Sequence, residues 1–191
     1  KEYRVYLQVA AILHDIGRFV SHHNHGKHGM YLVKNSELFA LQSIDLNIIG
    51  QVIRYHRKIK PSHAHEEFAA LNRQERIIVL KLSAILRVAE GLDCRHLQRY
   101  LISGVELNQA AGILGLEIKA DRATSTMERE VLKLKSDLIL DVYGLDIGLD
   151  IEKVAAFEAK LNKLQKEGGE DAVPRVAAGC RRVVATLPVP S

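Results

Sequence analysis

Tryptophan is absent from this 191-residue chain, and all aromatics together make up only 5% of it. The core must therefore be aliphatic, built from Leu, Ile, Val and Ala, which favours helices. Cysteine is almost as scarce. Cys94 and Cys180 are too few and too isolated for a disulfide framework or a cysteine-based zinc site, which fits a reducing compartment. No stretch approaches the roughly 18 consecutive apolar residues of a membrane span, and no basic-then-apolar signal segment opens the chain. A cytoplasmic protein with no membrane partner is expected. A glycine-rich phosphate cradle following a strand is also missing.

Hydrophobic residues amount to 47%, ample for a core, and the net charge of +4 with a pI near 9.1 leans toward an acidic partner. The clustering of charge says more than its sum. Arg54, Arg57, Lys58 and Lys60 surround His56, with His63 and His65 following, a pattern open to two readings: a solvated loop or a polyanion contact. The chain begins at Lys1 inside a helical pattern, without an initiator Met, so it is expected to be a fragment of a longer protein.

Apolar residues at spacings of three and four predict a helix over 3–14 (Tyr6, Val9, Ala10, Leu13), with His14 at the edge of its buried face. A loop over 15–26 and a short helix over 27–35 follow, the latter aiming His28 along an apolar stripe that includes Leu32. In a third helix over 45–56, Ile49, Val52, Ile53 and His56 share one side. Residues 57–72 are polar, contain Pro61 and read as a mobile connection. A long helix over 73–93 turns Ile78, Leu82, Ile85, Ala89 and Leu92 to the core, with Asp93 in the middle of that face and Glu90 at its flank. A carboxylate among apolar side chains needs a partner. A metal or a histidine cluster would supply one; the alternative is a solvated Asp93 and a Glu90 paired with Arg87 across one turn.

After residue 96 the pattern becomes mixed. Segments 100–107 and 112–120 read as strands, and a helix capped by Ser125-Thr126 buries Val131, Leu134, Leu138 and Val142 before Gly144 ends it. A third strand over 145–151 and a helix over 152–167 complete the pattern. The expected fold class is mainly α, a helical domain over 1–97 followed by a small α+β domain over 98–167. Residues 168–191 read as a poorly ordered or loosely docked tail.

Four ordered blocks give the sequence a likeness. They are Leu13-His14-Asp15-Ile16-Gly17-Arg18-Phe19-Val20, His25-Gly26-Lys27-His28-Gly29-Met30, Arg54-Tyr55-His56-Arg57-Lys58 and Leu86-Arg87-Val88-Ala89-Glu90-Gly91-Leu92-Asp93. With them the first 97 residues resemble the HD superfamily of helical metal-dependent phosphohydrolases, and more closely the C-terminal part of the Ppx/GppA exopolyphosphatases and guanosine pentaphosphate phosphohydrolases. The resemblance implies an HD-like helical bundle. It also implies a divalent metal (Mg, Mn, Zn or Fe) held by His14 and Asp15, with His28 and His56 as further ligands or phosphate contacts. Glu90 stands where the pattern usually has Asp, while helical phase favours Asp93, so both remain candidates. The HD pattern also has a His on an earlier helix, which this chain does not contain.

For a Ppx/GppA relative, catalysis is expected in upstream actin-like domains, with this region binding polyphosphate or another phosphate-rich anion through Arg54, Arg57, Lys58 and Lys60, extended by Arg95 and Arg99. A homodimer is implied as well. The alternative expectation is an autonomous HD-type phosphohydrolase acting on a nucleotide or phosphate ester.

Overall fold

The computed structural model describes residues 2–38, 40–93, 100–120 and 126–153. Arg95, Arg99, most of the expected helix over 152–167 and the tail over 168–191 lie outside them. Among the described residues the chain is mainly helical with one small sheet, as its aliphatic composition demands. Among the described residues no helix is long and apolar enough to cross a membrane.

Helix α1 (Glu2–Leu13) buries Leu7, Ala10 and Ala11 completely, and His14 follows at its end. A 3-10 turn (Ile16–Phe19) leads to α2 (His25–Lys34), which begins two residues earlier than predicted. Asn24 holds a left-handed φ of 54° just before it, a conformation that Asn tolerates better than most side chains. Helix α3 (Ser43–Arg54) is set at its start by Asp45, which accepts a 2.8 Å bond from the Gln42 N–H, and tied to α1 by the Tyr6 hydroxyl donating to the same carboxylate.

Segment 57–72 is not a loose connection. It contains the short helix α4 (Glu66–Ala69) and anchors itself through buried Phe68 and Leu71 and a 2.9 Å bond between the Tyr55 hydroxyl and His65 Nδ1. The central α5 (Arg73–Leu92) opens with a reciprocal cap: Asn72 accepts from the Glu75 N–H and Glu75 from the Asn72 N–H, each at 2.9 Å. The second half of α5 is buried all round, because α3 packs on one side and the helices after the sheet on another.

Strands β1 (Tyr100–Asn108) and β2 (Ile113–Ala120) form an antiparallel pair with an irregularity between Ile102 and Gly104. Leu114, Leu116 and Ile118 alternate inward, the period of a half-buried strand. The predicted single helix after the sheet is two: α6 (Thr126–Lys135) and α7 (Asp137–Tyr143), broken at Ser136. The Ser136 hydroxyl bonds back to the Leu132 carbonyl at 2.7 Å, a contact that bends helices. The break shifts the buried stripe to Leu132, Leu138 and Ile139, leaving Leu134, expected inside, 75% exposed. Strand β3 (Asp146–Lys153) then pairs parallel to β2 across the crossover these helices provide. Buried residues of the helices and of the sheet form one contiguous cluster.

Candidate metal centre and anion cavity

Each of three histidines is oriented by the turn it ends. His14 Nδ1 donates to the Ala11 carbonyl at 2.9 Å, His25 Nδ1 to the His22 carbonyl at 3.1 Å and His56 Nδ1 to the Ile53 carbonyl at 2.6 Å. A carbonyl can only accept, so the proton sits on Nδ1 and a neutral ring carries its lone pair on Nε2. This is the arrangement of metal-binding imidazoles, whose second nitrogen is held by an outer acceptor.

The Nε2 atoms converge on Asp15. His14 Nε2 lies 3.6 Å from Asp15 Oδ2, while His25 Nε2 and His56 Nε2 lie 3.5 and 4.0 Å from Asp15 Oδ1. His25 Nε2 and His56 Nε2 face each other at 3.3 Å. Arg18 Nε approaches Asp15 Oδ1 from the rim at 3.0 Å. Burial pushes the His56 imidazole well below its usual pKa, with the His14 ring beside it adding to the effect. Burial likewise lowers His25, against the opposing pull of its bond to His22 and of Asp15. Both rings are therefore neutral at pH 7, and two lone pairs and a carboxylate oxygen share one small volume. A divalent ion suits such a donor set: tetrahedral bonds of about 2.1 Å separate ligand atoms by about 3.4 Å, close to the separations found. Asp15, His25 and His56 would hold it, with His14 against the carboxylate. A metal bound there would supply a polarised phosphoryl oxygen or an acidified water.

Glycines bring these elements close enough. A Cβ on Gly17 would lie 1.9 Å from the His25 carbonyl oxygen and 2.4 Å from Gly29 N, and one on Gly26 would lie 2.9 Å from the Arg54 carbonyl oxygen. Bare backbone at these positions lets the 3-10 turn, α2 and the end of α3 touch.

The predicted ligands separate into two groups. His14, Asp15 and His56 come together, and His25 joins them where the resemblance implied His28. His28, half-buried one turn along α2, is not part of the cluster. Helix α2 begins at His25 rather than at 27, and its first residue, not His28, is the one that reaches Asp15. Glu90 and Asp93 are also outside the cluster. Both are buried, at 2% and 6% exposure, but Glu90 faces Arg57 Nε at 3.7 Å and contacts Lys135 Nζ. It does not pair with Arg87, which reaches instead to Asp137 at 2.7 Å. Asp93 ends α5, its backbone N–H bonded to the Ala89 carbonyl.

Beside the histidines lies a cavity of about 430 Å³, lined by His22, His23, His25, His56, Lys27, Arg54, Arg57 and Lys58, with Asn24, Gly26 and Ile59. Its described lining residues include four cations and no carboxylate. Of the four predicted cations clustered around His56, three line it, and Arg95 and Arg99 lie outside the described residues. Arg54 is partly engaged, donating to Glu67 at 2.7 Å. Lys60 points elsewhere, to Asp141 at 2.6 Å and Asp137 at 3.2 Å on α7. Lys27 was missed because it stands alone in the sequence, and only the packing of α2 on α3 carries it to the others.

A family model, Ppx/GppA phosphatase, domain III, matches residues 1–136. The match spans the histidine-bearing helices, strands β1 and β2 and helix α6, and on that ground the chain belongs to the Ppx/GppA phosphatase family as a domain III.

Proposed function

We propose that this region binds and positions polyphosphate, or another chain of phosphates, for an exopolyphosphatase-type phosphoanhydride hydrolase whose catalytic actin-like domains lie upstream. The observation carrying the reading is the cavity with Lys27, Arg54, Arg57 and Lys58 on its walls and no carboxylate among its lining residues. Repeated phosphates need positive potential rather than base-specific contacts, and holding of this kind weakens as salt screens it. Titration of the 191-residue chain with polyphosphate of defined length, at low and high salt, tests it. Binding that falls steeply with salt and is reduced in Arg57→Ala and Lys58→Ala is expected; salt-independent binding, or none, would sink the reading. The parent enzyme is proposed to be cytoplasmic and homodimeric, in keeping with the scarcity of cysteine and the family's resemblance.

One observation favours a second reading. Asp15, His25 and His56 offer the donor set of a divalent metal centre next to a cation-lined cavity, a combination that favours an HD-type metal-dependent phosphohydrolase although Glu90 stands apart from it. There Asp15 and the imidazoles would hold the ion while the cavity's cations orient the phosphate. Stoichiometric metal, together with phosphate-ester turnover by the isolated chain that is lost in Asp15→Ala, would make this reading the better one. Bound metal without turnover would return the region to positioning.

A further inference from the structure

Glu90 and Lys135 do not line the cation-rich cavity, yet they are connected to it through Arg57, which does. Oε1 of the buried Glu90 stands 3.7 Å from Arg57 Nε, outside hydrogen-bond distance, while Oε2 is in direct contact with Nζ of Lys135. The two cations are thus held unequally. Arg57 is 37% exposed and only loosely attracted, whereas Lys135 is 17% exposed and tightly paired. Gly91 makes the tight pair attainable: a Cβ there would lie 3.0 Å from Leu132 Cδ1 and 3.3 Å from Lys135 Cβ, so glycine lets α6 settle onto α5. The backbone around Arg57 is fixed separately. Arg87, 3% exposed and anchored to Asp137, donates to the carbonyls of Arg57 and Ile59. These bonds fix the Arg57 backbone and do not involve its side chain.

We propose that Glu90 and Lys135 act as positioning residues that govern how readily Arg57 turns to a phosphate-bearing anion in the cavity. A buried carboxylate stripped of its counter-ions is strongly disfavoured. With Lys135 in place, Arg57 leaves Glu90 without stranding that charge. Without Lys135, Glu90 draws Arg57 inward and withholds it from the cavity. The proposal rests on the polyanion reading and assigns Glu90 a role opposite to that of a metal ligand.

The test is calorimetric titration of the 191-residue chain with tripolyphosphate, together with the NMR signal of the Arg57 Nε–H, assigned through Arg57→Lys. Lys135→Met is expected to weaken binding about 10-fold although Lys135 never lines the cavity, and to shift the Nε–H signal as the pair with Glu90 closes. Glu90→Gln should tighten binding by roughly 3-fold, and the double variant should bind like Glu90→Gln, because the carboxylate that captures Arg57 is gone. Lys135→Arg should restore ordinary affinity, which a purely packing role of the Lys135 stem in α6 does not predict. If Lys135→Met fails to fold, Lys135→Gln, which keeps the polar tip and drops the charge, takes its place. An unmoved Nε–H signal, or a double variant as weak as Lys135→Met, overturns the relay. A signal that moves as expected in a chain with no affinity for tripolyphosphate sinks the polyanion reading and leaves the coupling of Lys135 to Arg57 standing.

Discussion

Asp15 and Glu90 are two enclosed carboxylates that one helical bundle treats in opposite ways. Around Asp15 the described neighbours are mostly imidazole Nε2 atoms, with burial lowering the pKa of His25 and His56 and Arg18 bringing a full charge at the rim. Around Glu90 stand Arg57 and Lys135. The first set is rich in electron pairs that a cation would satisfy; the second already contains its cations. Both carboxylates satisfy the same sequence rule, an acid near a buried helical face, so the number of positive charges nearby decides which one suits a metal. The HD pattern points to both acids, and of the two Glu90 is the one whose surroundings leave a metal less to gain.

The most disruptive way to break this comparison is Gly17→Ala. The added Cβ overlaps the His25 carbonyl, so the 3-10 turn and α2 must part, at a cost of about 3 kcal/mol readable in a urea unfolding curve. Unchanged stability would mean that the close seating of His25 near Asp15 is wrong. A sharper division comes from metal titration with elemental analysis. Asp15→Ala, His25→Ala and His56→Ala should each weaken divalent metal binding by more than the roughly 100-fold that outer partners of a metal site command, whereas His28→Ala and Glu90→Gln retain stoichiometric metal. Equal losses in Glu90→Gln and Asp15→Ala would erase the distinction between the two acids.

A smaller effect separates the cations. Arg57→Ala and Lys58→Ala should each reduce polyphosphate affinity by about 3- to 10-fold at low salt, while Lys60→Ala, whose ammonium is turned to Asp137 and Asp141, should change it little. Lys60→Ala matching Arg57→Ala would show that the α7 carboxylates release Lys60 to the anion. The smallest effect is one of pH. Glu67 has its carboxyl held below the usual value of 4.5, first by a hydrogen bond from its own backbone and then by Arg54. A depressed folded-state pKa gives stability that is fully present above pH 4.5 and is lost as pH falls through the lower folded value. Acid unfolding of Glu67→Gln should therefore begin from lower stability and show a shallower slope just below pH 4.5. An unchanged slope would remove Glu67 from the acid response of the cavity rim.

Helices α1, α3 and α5 were legible because apolar side chains recur at helical spacing over long windows, and their amphipathic faces left little choice about which side is buried. The first two strands were legible by alternation. Short elements were not. The start of α2 depended on Asn24 taking a left-handed φ, and the break at Ser136 depended on a hydroxyl bonding back to Leu132, neither of which periodicity records. The parallel pairing of β3 with β2 was equally hidden, since partners distant in sequence leave no local trace.

The residue pattern by itself determined that this chain is an aliphatic, mostly helical protein carrying histidines and acids at helix ends beside a basic cluster, because periodicity and composition act locally along the backbone. Only the tertiary structure decided that His25 rather than His28 meets Asp15 and His56, that Lys27 joins the cavity, and that Glu90 is neutralised by Arg57 and Lys135. Charges and lone pairs act over a few ångströms in space, and at Gly17, Gly26 and Gly91 those ångströms are set by where the absence of a Cβ lets one backbone approach another.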